Sequence, residues 1–191
     1  MPAIPSHLKP LFTAEMIRKR TAELGASISV WAEEIWRTSH TDVLAIPILR
    51  GGIFFYADLV REIRTSVEIA PARTWAYEQM ADENSPERKP NELASVQVDL
   101  AAVPARGRSV LVVDDICDSG RSLAVLSAAL KEAGAREVRA AVLVTRKVES
   151  QAYSPEWSGF DYSGKEWIVG YGMDDSERWR NLPGVFIITQ A

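Results

Sequence analysis

The chain has 191 residues, of which 47% are hydrophobic and 25% are charged, and its formal net charge is −4. This composition is typical of a folded protein with a sizeable core and excludes a disordered chain, so we predict a single domain over residues 1–191. The acidic balance argues against a nucleic-acid partner, which requires a basic surface.

Cysteine content and hydropathy give an expectation for the compartment. The single cysteine, Cys117, rules out an internal disulfide and is typical of a reducing compartment. The N-terminal stretch MPAIPSHLKP lacks the apolar core of a signal peptide. No segment approaches the ~18 apolar residues that cross a membrane. We therefore expect a soluble, cytoplasmic protein with no membrane partner.

In the first half of the chain, helical and strand patterns alternate. Apolar residues at three- and four-residue steps predict a helix from Thr13, its N-cap, to about Trp36. The apolar run VLAIPIL (43–49) predicts a strand buried on both faces, and IFFYADLVREI, after an Arg-Gly-Gly turn, is helical. VEIA, RTWAYEQ and ASVQVDL predict short strands. The polar segment at about 78–94 contains two prolines and predicts a mobile active-site loop.

The second half continues this alternation. VLVVD predicts a second buried strand, SLAVLSAALKEAG a helix closed by Gly134, and REVRAAVLV a third buried strand. Such segments form parallel βαβ units with right-handed crossovers. The tail carries shorter apolar pieces, WIVGYG and VFIIT, around the polar stretch DDSERWRNLPG. The predicted fold class is α/β, an open twisted parallel sheet with helices on both faces.

The stretch VLVVDDICDSGRS combines three carboxylates with a turn of small residues. In open parallel sheets, ligands bind beyond the carboxyl ends of the strands, where Asp114 and Asp115 are predicted to lie. The turn from Ser119 to Ser122 exposes backbone N–H groups at a helix N-terminus, and such groups bind phosphate. Carboxylates beside a phosphate site fit ribose hydroxyls, a cation or a proton. The pattern therefore indicates a sugar phosphate.

Three other interpretations of this stretch have weaker support. An ATPase site would need a GxxxxGK[ST] motif, and the sequence contains none. A response-regulator receiver domain has a similar acidic corner near its start, whereas here a long segment precedes it. A strand–turn–helix whose aspartates only cap the helix stays open, although three acids exceed what a cap needs.

VLVVDDICDSGRS closely resembles the phosphoribosyl-pyrophosphate motif of the type I phosphoribosyltransferases, with the spacing fully kept. Two further segments resemble the hypoxanthine-guanine phosphoribosyltransferase subfamily. AIPILRGGIFFYADLVREI resembles its Leu-Lys-Gly-Gly loop and following helix, and GFDYSGKEWIVGYGMDDSERWRNLPGVFII resembles its C-terminal block. The resemblance covers roughly residues 13–189. It implies the type I fold, with a small hood formed by the N-terminal and C-terminal segments.

This resemblance implies a pentosyltransferase of purine salvage that uses Mg²⁺. Its substrates would be phosphoribosyl pyrophosphate and a 6-oxopurine (hypoxanthine, guanine or xanthine), joined at N9 to give a nucleoside 5′-monophosphate and pyrophosphate. A homodimer or homotetramer is also implied. Two alternatives stay open: a regulator that senses phosphoribosyl pyrophosphate, although the chain is acidic, and a pyrimidine phosphoribosyltransferase, although the block from Trp167 to Arg180 argues against it.

By the same resemblance, the residues of the motif divide their work between ribose, base and phosphate. Asp114 and Asp115 would bind the ribose hydroxyls, directly or through the metal. Asp118 would be the general acid/base at N7 of the purine. The turn that would hold the 5′-phosphate consists of Ser119, Gly120, Arg121 and Ser122.

The resemblance also assigns the pyrophosphate and the metal. Arg50 and Gly51 would bind pyrophosphate after a cis peptide between Leu49 and Arg50. Arg180 would contact the same group, and Asp174 would be a magnesium ligand together with the two acids of the motif.

For the purine, Trp167 would stack on the base and the Ile168 carbonyl would meet its edge. Lys147 is the preferred partner of the purine O6 atom, and Arg146 is the alternative. Tyr77 would shield the reacting centre from water, although it follows alanine where the family carries serine, which leaves full loop closure open.

Overall fold

The structure, a computed structural model, describes residues 4–70, 73–77, 95–100 and 102–189, with only the backbone of 73–77 and 95–99. In chain order the elements are β1 (Leu8–Phe12), α1 (Ala14–Ser39), β2 (Val43–Pro47), α2 (Ile53–Leu59) with a 3₁₀ turn (Val60–Glu62), β3 (Val67–Ile69), β4 (Arg73–Tyr77), β5 (Ser95–Asp99), β6 (Ser109–Cys117), α3 (Arg121–Glu132), β7 (Glu137–Arg146), β8 (Trp157–Tyr162), β9 (Ile168–Val169) and β10 (Val185–Ile188). The mobile loop predicted at about 78–94 lies outside the described residues.

A five-stranded parallel sheet in the order β3-β2-β6-β7-β8 forms the centre of the fold. Its two faces carry different helices, because successive residues of a strand point to opposite sides. Leu111 of β6 packs with Ile28 of α1 and Phe55 of α2. Its neighbour Val112 packs on the other face with Leu126 of α3. The predicted α/β class, with helices on both faces, is confirmed.

The ends of the helices agree closely with their sequence signals. Thr13 caps α1, since its hydroxyl accepts a hydrogen bond of 3.2 Å from the Met16 N–H. The helix ends at Ser39, slightly later than predicted, and His40 adopts the left-handed conformation (φ 52°) that closes it. Gly134, at φ 91°, ends the turn after α3 as predicted.

The sequence missed two strands and the end of a third. β8 is an edge strand that pairs only with β7 in this sheet, so its residues lack the continuous apolar run of a central strand. β1 contains a proline and a lysine, and it pairs with β10 rather than with the parallel sheet. β6 continues to Cys117, three residues beyond the predicted end of the strand. Asp114 and Asp115 therefore both lie within the strand, near its carboxyl end.

The chain termini form a second sheet over one end of the first. β1, β10 and β9 pair antiparallel in that order. This three-stranded sheet is built from the N-terminal and C-terminal segments that the resemblance assigned to the hood. β4 and β5 form a separate antiparallel pair on either side of the undescribed loop. Within the described ranges, no helix has both the length and the apolarity to span a membrane.

Candidate active site

The carboxyl ends of the parallel strands open into a cleft of about 310 Å³. The predicted site residues that line it are Arg50, Gly51, Asp114, Asp115, Asp118, Trp167, Ile168, Asp174 and Arg180. A second cleft of about 230 Å³ adjoins it and is lined by the continuous segment from Asp114 to Leu123. The two clefts share Asp114, Asp115 and Asp118, so three separate sequence motifs meet around one acidic wall.

Asp114 and Asp115 form a buried acid pair in which the side chains are held by backbone N–H groups. An Asp114 oxygen accepts from the Asp115 N–H and an Asp115 oxygen from the Ile116 N–H, each at 2.9 Å. Burial raises the pKa of Asp114 well above its ordinary value, and the neighbouring Asp115 charge raises it further. Burial also raises the pKa of Asp115. A cation or a hydroxyl donor that approached the pair would therefore favour the ionised forms of the two carboxyls.

The turn before α3 is shaped by one glycine. Gly120 has φ 75°, and a Cβ at this position would lie 2.7 Å from the backbone nitrogen of Tyr153. No side chain fits there, so the turn stays narrow. The first N–H groups of α3 lack carbonyl partners within the helix and open into the second cleft, next to Ser119 and Ser122. Backbone N–H groups at a helix N-terminus are an arrangement that can bind a phosphate group.

Gly51, after β2, and Gly172, after β9, allow three separate segments of the chain to lie in direct contact. The peptide between Leu49 and Arg50 is cis, as the resemblance implied. A Cβ on Gly51 would overlap the Asp115 carboxylate, and one on Gly172 would overlap the Gly51 carbonyl. The Arg50 loop is thereby stacked between the acid pair and the segment that carries Asp174 and Arg180.

The C-terminal segment supplies a second charged cluster. Arg180 contacts the Asp174 carboxylate at 2.7 Å and donates to the Gly172 carbonyl, also at 2.7 Å. Glu177, which the sequence analysis did not single out, pairs with Arg50 and lies 3.7 Å from Arg180. The sequence could not indicate a separate role for Glu177, because no motif distinguishes it from the other carboxylates in DDSERWR.

At the end of β7, the structure places the two candidate cations for the purine O6 atom differently. Arg146 lines the cleft, and its Nε lies 2.8 Å from the Asp118 carboxylate. Lys147 lies outside the cleft lining and pairs with Asp161 at 3.1 Å. The reason is strand geometry. Arg146 is the last residue of β7, at the carboxyl end of the strand. Lys147 follows the strand, and its N–H donates to the Tyr162 carbonyl of β8.

Trp167 and Tyr77 differ in how much the structure says of them. Trp167 is 58% exposed at the cleft, and its indole N–H donates to the Asp174 carbonyl at 2.8 Å, which fixes the ring beside Ile168. An exposed, hydrogen-bonded tryptophan at a cleft is available for stacking. Tyr77 ends β4, and its side chain lies outside the described residues.

The carboxylates at the cleft are oxygen donors of the kind that magnesium prefers. Within residues that the structure describes, no cluster of three or more His, Cys, Asp or Glu side chains forms a protein-only metal cage. Magnesium does not need such a cage, since it is held by one or two carboxylates together with phosphate oxygens and water. The Asp174 carboxylate and the acid pair line the same cleft, so the residues present fit a magnesium ion that a diphosphate brings with it.

Comparisons of the sequence with known proteins all find phosphoribosyltransferases. The family profile described as "Phosphoribosyl transferase domain" matches residues 19–176. The hypoxanthine-guanine phosphoribosyltransferase of Mycobacterium tuberculosis is 33% identical over 174 residues, covering 90% of this chain and 81% of that protein. The hypoxanthine phosphoribosyltransferase of Escherichia coli is 32% identical over 168 residues, 87% of either chain.

Solved structures share the architecture. The hypoxanthine-guanine phosphoribosyltransferase of Bacillus anthracis matches with a TM-score of 0.72 and 26% identity, covering 95% of this chain and 98% of that one. The hypoxanthine phosphoribosyltransferase of Trypanosoma cruzi has a TM-score of 0.80 at 21% identity, covering 98% and 94%, and it shows the same fold.

Proposed function

The chain belongs to the phosphoribosyl transferase family, and from this premise we propose that it is a 6-oxopurine phosphoribosyltransferase of purine salvage. It breaks the bond between C1′ of phosphoribosyl pyrophosphate and the pyrophosphate oxygen, and it forms a bond from C1′ to N9 of the base. The observation that carries the proposal is the meeting of Asp118, Trp167 and Arg180, from separate segments, in one cleft.

The ribose phosphate lies across the two adjoining clefts in this proposal. The 5′-phosphate binds the N–H groups and hydroxyls of the turn from Ser119 to Ser122, in which Gly120 allows the close approach of the Tyr153 backbone and Arg121 begins the helix. The Asp114–Asp115 pair, at the shared wall, accepts hydrogen bonds from the ribose hydroxyls. Because burial raises the pKa of both carboxyls, the approach of hydroxyl donors or a cation favours their ionised forms.

The purine lies against Trp167, with its edge toward Ile168 and Arg146. Asp118 holds the proton at N7 as N9 attacks, and the Arg146 guanidinium keeps the Asp118 carboxylate oriented. Arg146 also donates to O6. An amino group at that position of adenine would leave the guanidinium facing another donor, so a 6-oxopurine is favoured.

The leaving pyrophosphate is held by Arg50, the Gly51 backbone and Arg180. Magnesium, where bound, would be held by Asp174 and the acid pair, and it supplies neutralisation of the diphosphate charge. Both Asp174 oxygens are already engaged, one by Arg180 and one by the Glu177 N–H at 2.8 Å. This network fixes the carboxylate at the cleft before any ligand binds.

Self-association as a homodimer or homotetramer and a cytoplasmic location complete the proposal. Ile53 and Phe54 are exposed at the start of α2, next to the Arg50 loop. Phe54 lines a surface groove of about 600 Å³ that carries both Arg18 and Asp58, so the charges of the groove can pair with those of a second copy about a two-fold axis. We expect sedimentation velocity to give at least twice the chain mass, and a monomer at all concentrations would contradict this part.

The direct test is an assay with phosphoribosyl pyrophosphate and magnesium, in which hypoxanthine, guanine, xanthine, adenine and uracil are supplied separately. We expect nucleotide from the 6-oxopurines only. Turnover with uracil alone would favour the pyrimidine alternative. Tight binding of phosphoribosyl pyrophosphate without turnover of any base would favour the sensing regulator.

Arg146→Ala is expected to lower kcat/KM for hypoxanthine by about 10- to 100-fold, because one charge-assisted hydrogen bond is lost. Discrimination against adenine should fall as well, and Arg146→Lys should restore part of it. The matched control is Lys147→Ala, which removes the same charge from the next residue, outside the cleft lining. A larger loss in the Lys147 variant would return O6 recognition to that residue.

A further inference from the structure

Glu177 joins the two arginines to which the proposed function assigns pyrophosphate. One carboxylate oxygen of Glu177 pairs with the Arg50 guanidinium. The other lies 3.7 Å from the guanidinium of Arg180. Arg50 and Arg180 belong to distant parts of the chain, so a single carboxylate bridges the two sides of the cleft that would hold the leaving group.

The backbone around Glu177 is fixed although its side chain is exposed. The Glu177 N–H donates to the Asp174 carboxylate at 2.8 Å, and Asp175 and Arg178 exchange backbone hydrogen bonds of 3.2 and 3.0 Å across the turn. Ser176 and Glu177 both have positive φ, at 52° and 65°, which is uncommon outside glycine. The Glu177 side chain is nevertheless 61% exposed, so its carboxylate can leave the arginines without rebuilding the turn.

The two arginines differ in their other partners. Arg180 is also held by Asp174 and by the Gly172 carbonyl, and therefore keeps its place when Glu177 moves. Arg50 has Glu177 as its ion-pair partner among the described residues, and its side chain is largely exposed. A ligand that displaces Glu177 would thus meet one fixed guanidinium and one that is newly released.

We propose that Glu177 is an internal anion, which occupies the pyrophosphate subsite of the free protein and must be displaced when phosphoribosyl pyrophosphate binds. The proposal rests on the assignment of Arg50 and Arg180 to pyrophosphate. A diphosphate carries more charge and more acceptor oxygens than one carboxylate, so it replaces Glu177 on both guanidinium groups. Between turnovers the Glu177 carboxylate balances the charge of the two arginines. After the reaction it competes with pyrophosphate for them and so favours product release.

The test is isothermal titration calorimetry of magnesium pyrophosphate with the full chain. Glu177→Gln keeps the size of the side chain and removes its charge. We expect this variant to bind pyrophosphate about 3- to 10-fold more tightly than the wild type, because the arginines are freed and the ligand no longer meets a like charge. The Michaelis constant for pyrophosphate in the reverse reaction should fall by a similar factor.

Two further variants make the result specific. Glu132→Gln, at the far end of α3, removes the same charge from an exposed helix position and should leave pyrophosphate affinity unchanged. Glu177→Ala should reproduce the tighter binding, and equal melting temperatures verify that the turn is intact. Unchanged or weaker binding by both Glu177 variants would overturn this proposal alone. Absence of pyrophosphate binding to the wild type would overturn the arginine assignment and, with it, this proposal.

Discussion

Asp118→Asn is expected to lower kcat for nucleotide formation by about 10²- to 10⁴-fold, the range over which a placed acid/base group acts. Asparagine matches aspartate in size but accepts no proton, so the N7 proton has no carboxylate to receive it. The dissociation constant of phosphoribosyl pyrophosphate should change little, because in the proposed function the ribose and the phosphate contact the acid pair and the turn instead. Asp118 is held by Arg146, which lines the cleft of about 310 Å³ and is absent from the lining of the cleft at the turn.

Rapid-quench turnover and direct binding of phosphoribosyl pyrophosphate measure the two effects separately. Asp161→Asn is a matched control: Asp161 is an exposed carboxylate paired with Lys147 at 3.1 Å, as Asp118 is paired with Arg146, but it lies outside the cleft lining. The control should keep its turnover. Equal losses of kcat and of phosphoribosyl pyrophosphate affinity in the Asp118 variant would contradict its assignment to the base.

The central part of the fold could be predicted because it depends on local patterns. Continuous apolar runs mark strands buried on both faces, and the positions of β2, β6 and β7 follow from them. β1 and β8 could not be found in this way. Neither forms a continuous apolar run, and β1 pairs with β10, a distant partner that local patterns do not encode.

In the candidate site, too, the residues set by local sequence could be predicted and those set by tertiary contacts could not. The motif around Asp118 is contiguous, so its spacing alone places the turn and the acid pair at a strand end. The positions of Arg146 at the purine side and of Glu177 beside the two arginines depend on tertiary contacts. Arg146 and Lys147 are adjacent in sequence, and only the end of β7 and its pairing with β8 decide which one reaches the cleft. Glu177 gains its position from Arg50, which is far away in the chain.

Asp114→Asn is the second large effect, and we expect it to act on activity and stability in opposite directions. Loss of one charged acceptor for the ribose hydroxyls or the metal should lower kcat/KM for phosphoribosyl pyrophosphate by about 10- to 100-fold. The ligand-free variant should be more stable than the wild type near pH 8, because asparagine avoids both the cost of a buried charge and the cost of taking up a proton on folding. Its melting temperature should be higher by about 2–4 °C, which corresponds to about 1 kcal/mol at this chain length.

The pH dependence distinguishes this mechanism from a general packing effect. Burial and the Asp115 charge raise the pKa of Asp114 in the folded protein, whereas in the unfolded chain it lies near the ordinary value of about 4. Between the two values the folded state keeps a proton that the unfolded state has lost, so wild-type stability falls as pH rises through this window. Asparagine does not titrate. The difference in melting temperature should therefore be small at acidic pH and grow as pH rises.

Differential scanning calorimetry from pH 4 upward (about the ordinary aspartate pKa) measures this difference, with and without magnesium and phosphoribosyl pyrophosphate. The ligand should raise the melting temperature of the wild type more than that of Asp114→Asn. Only the wild type has a carboxyl that can release its proton and then bind a cation or accept a hydrogen bond from a ribose hydroxyl. A variant that is less stable at every pH would contradict the argument. The acid pair destabilises the free protein in this account, and that cost is what makes the strand end ready to receive the ribose.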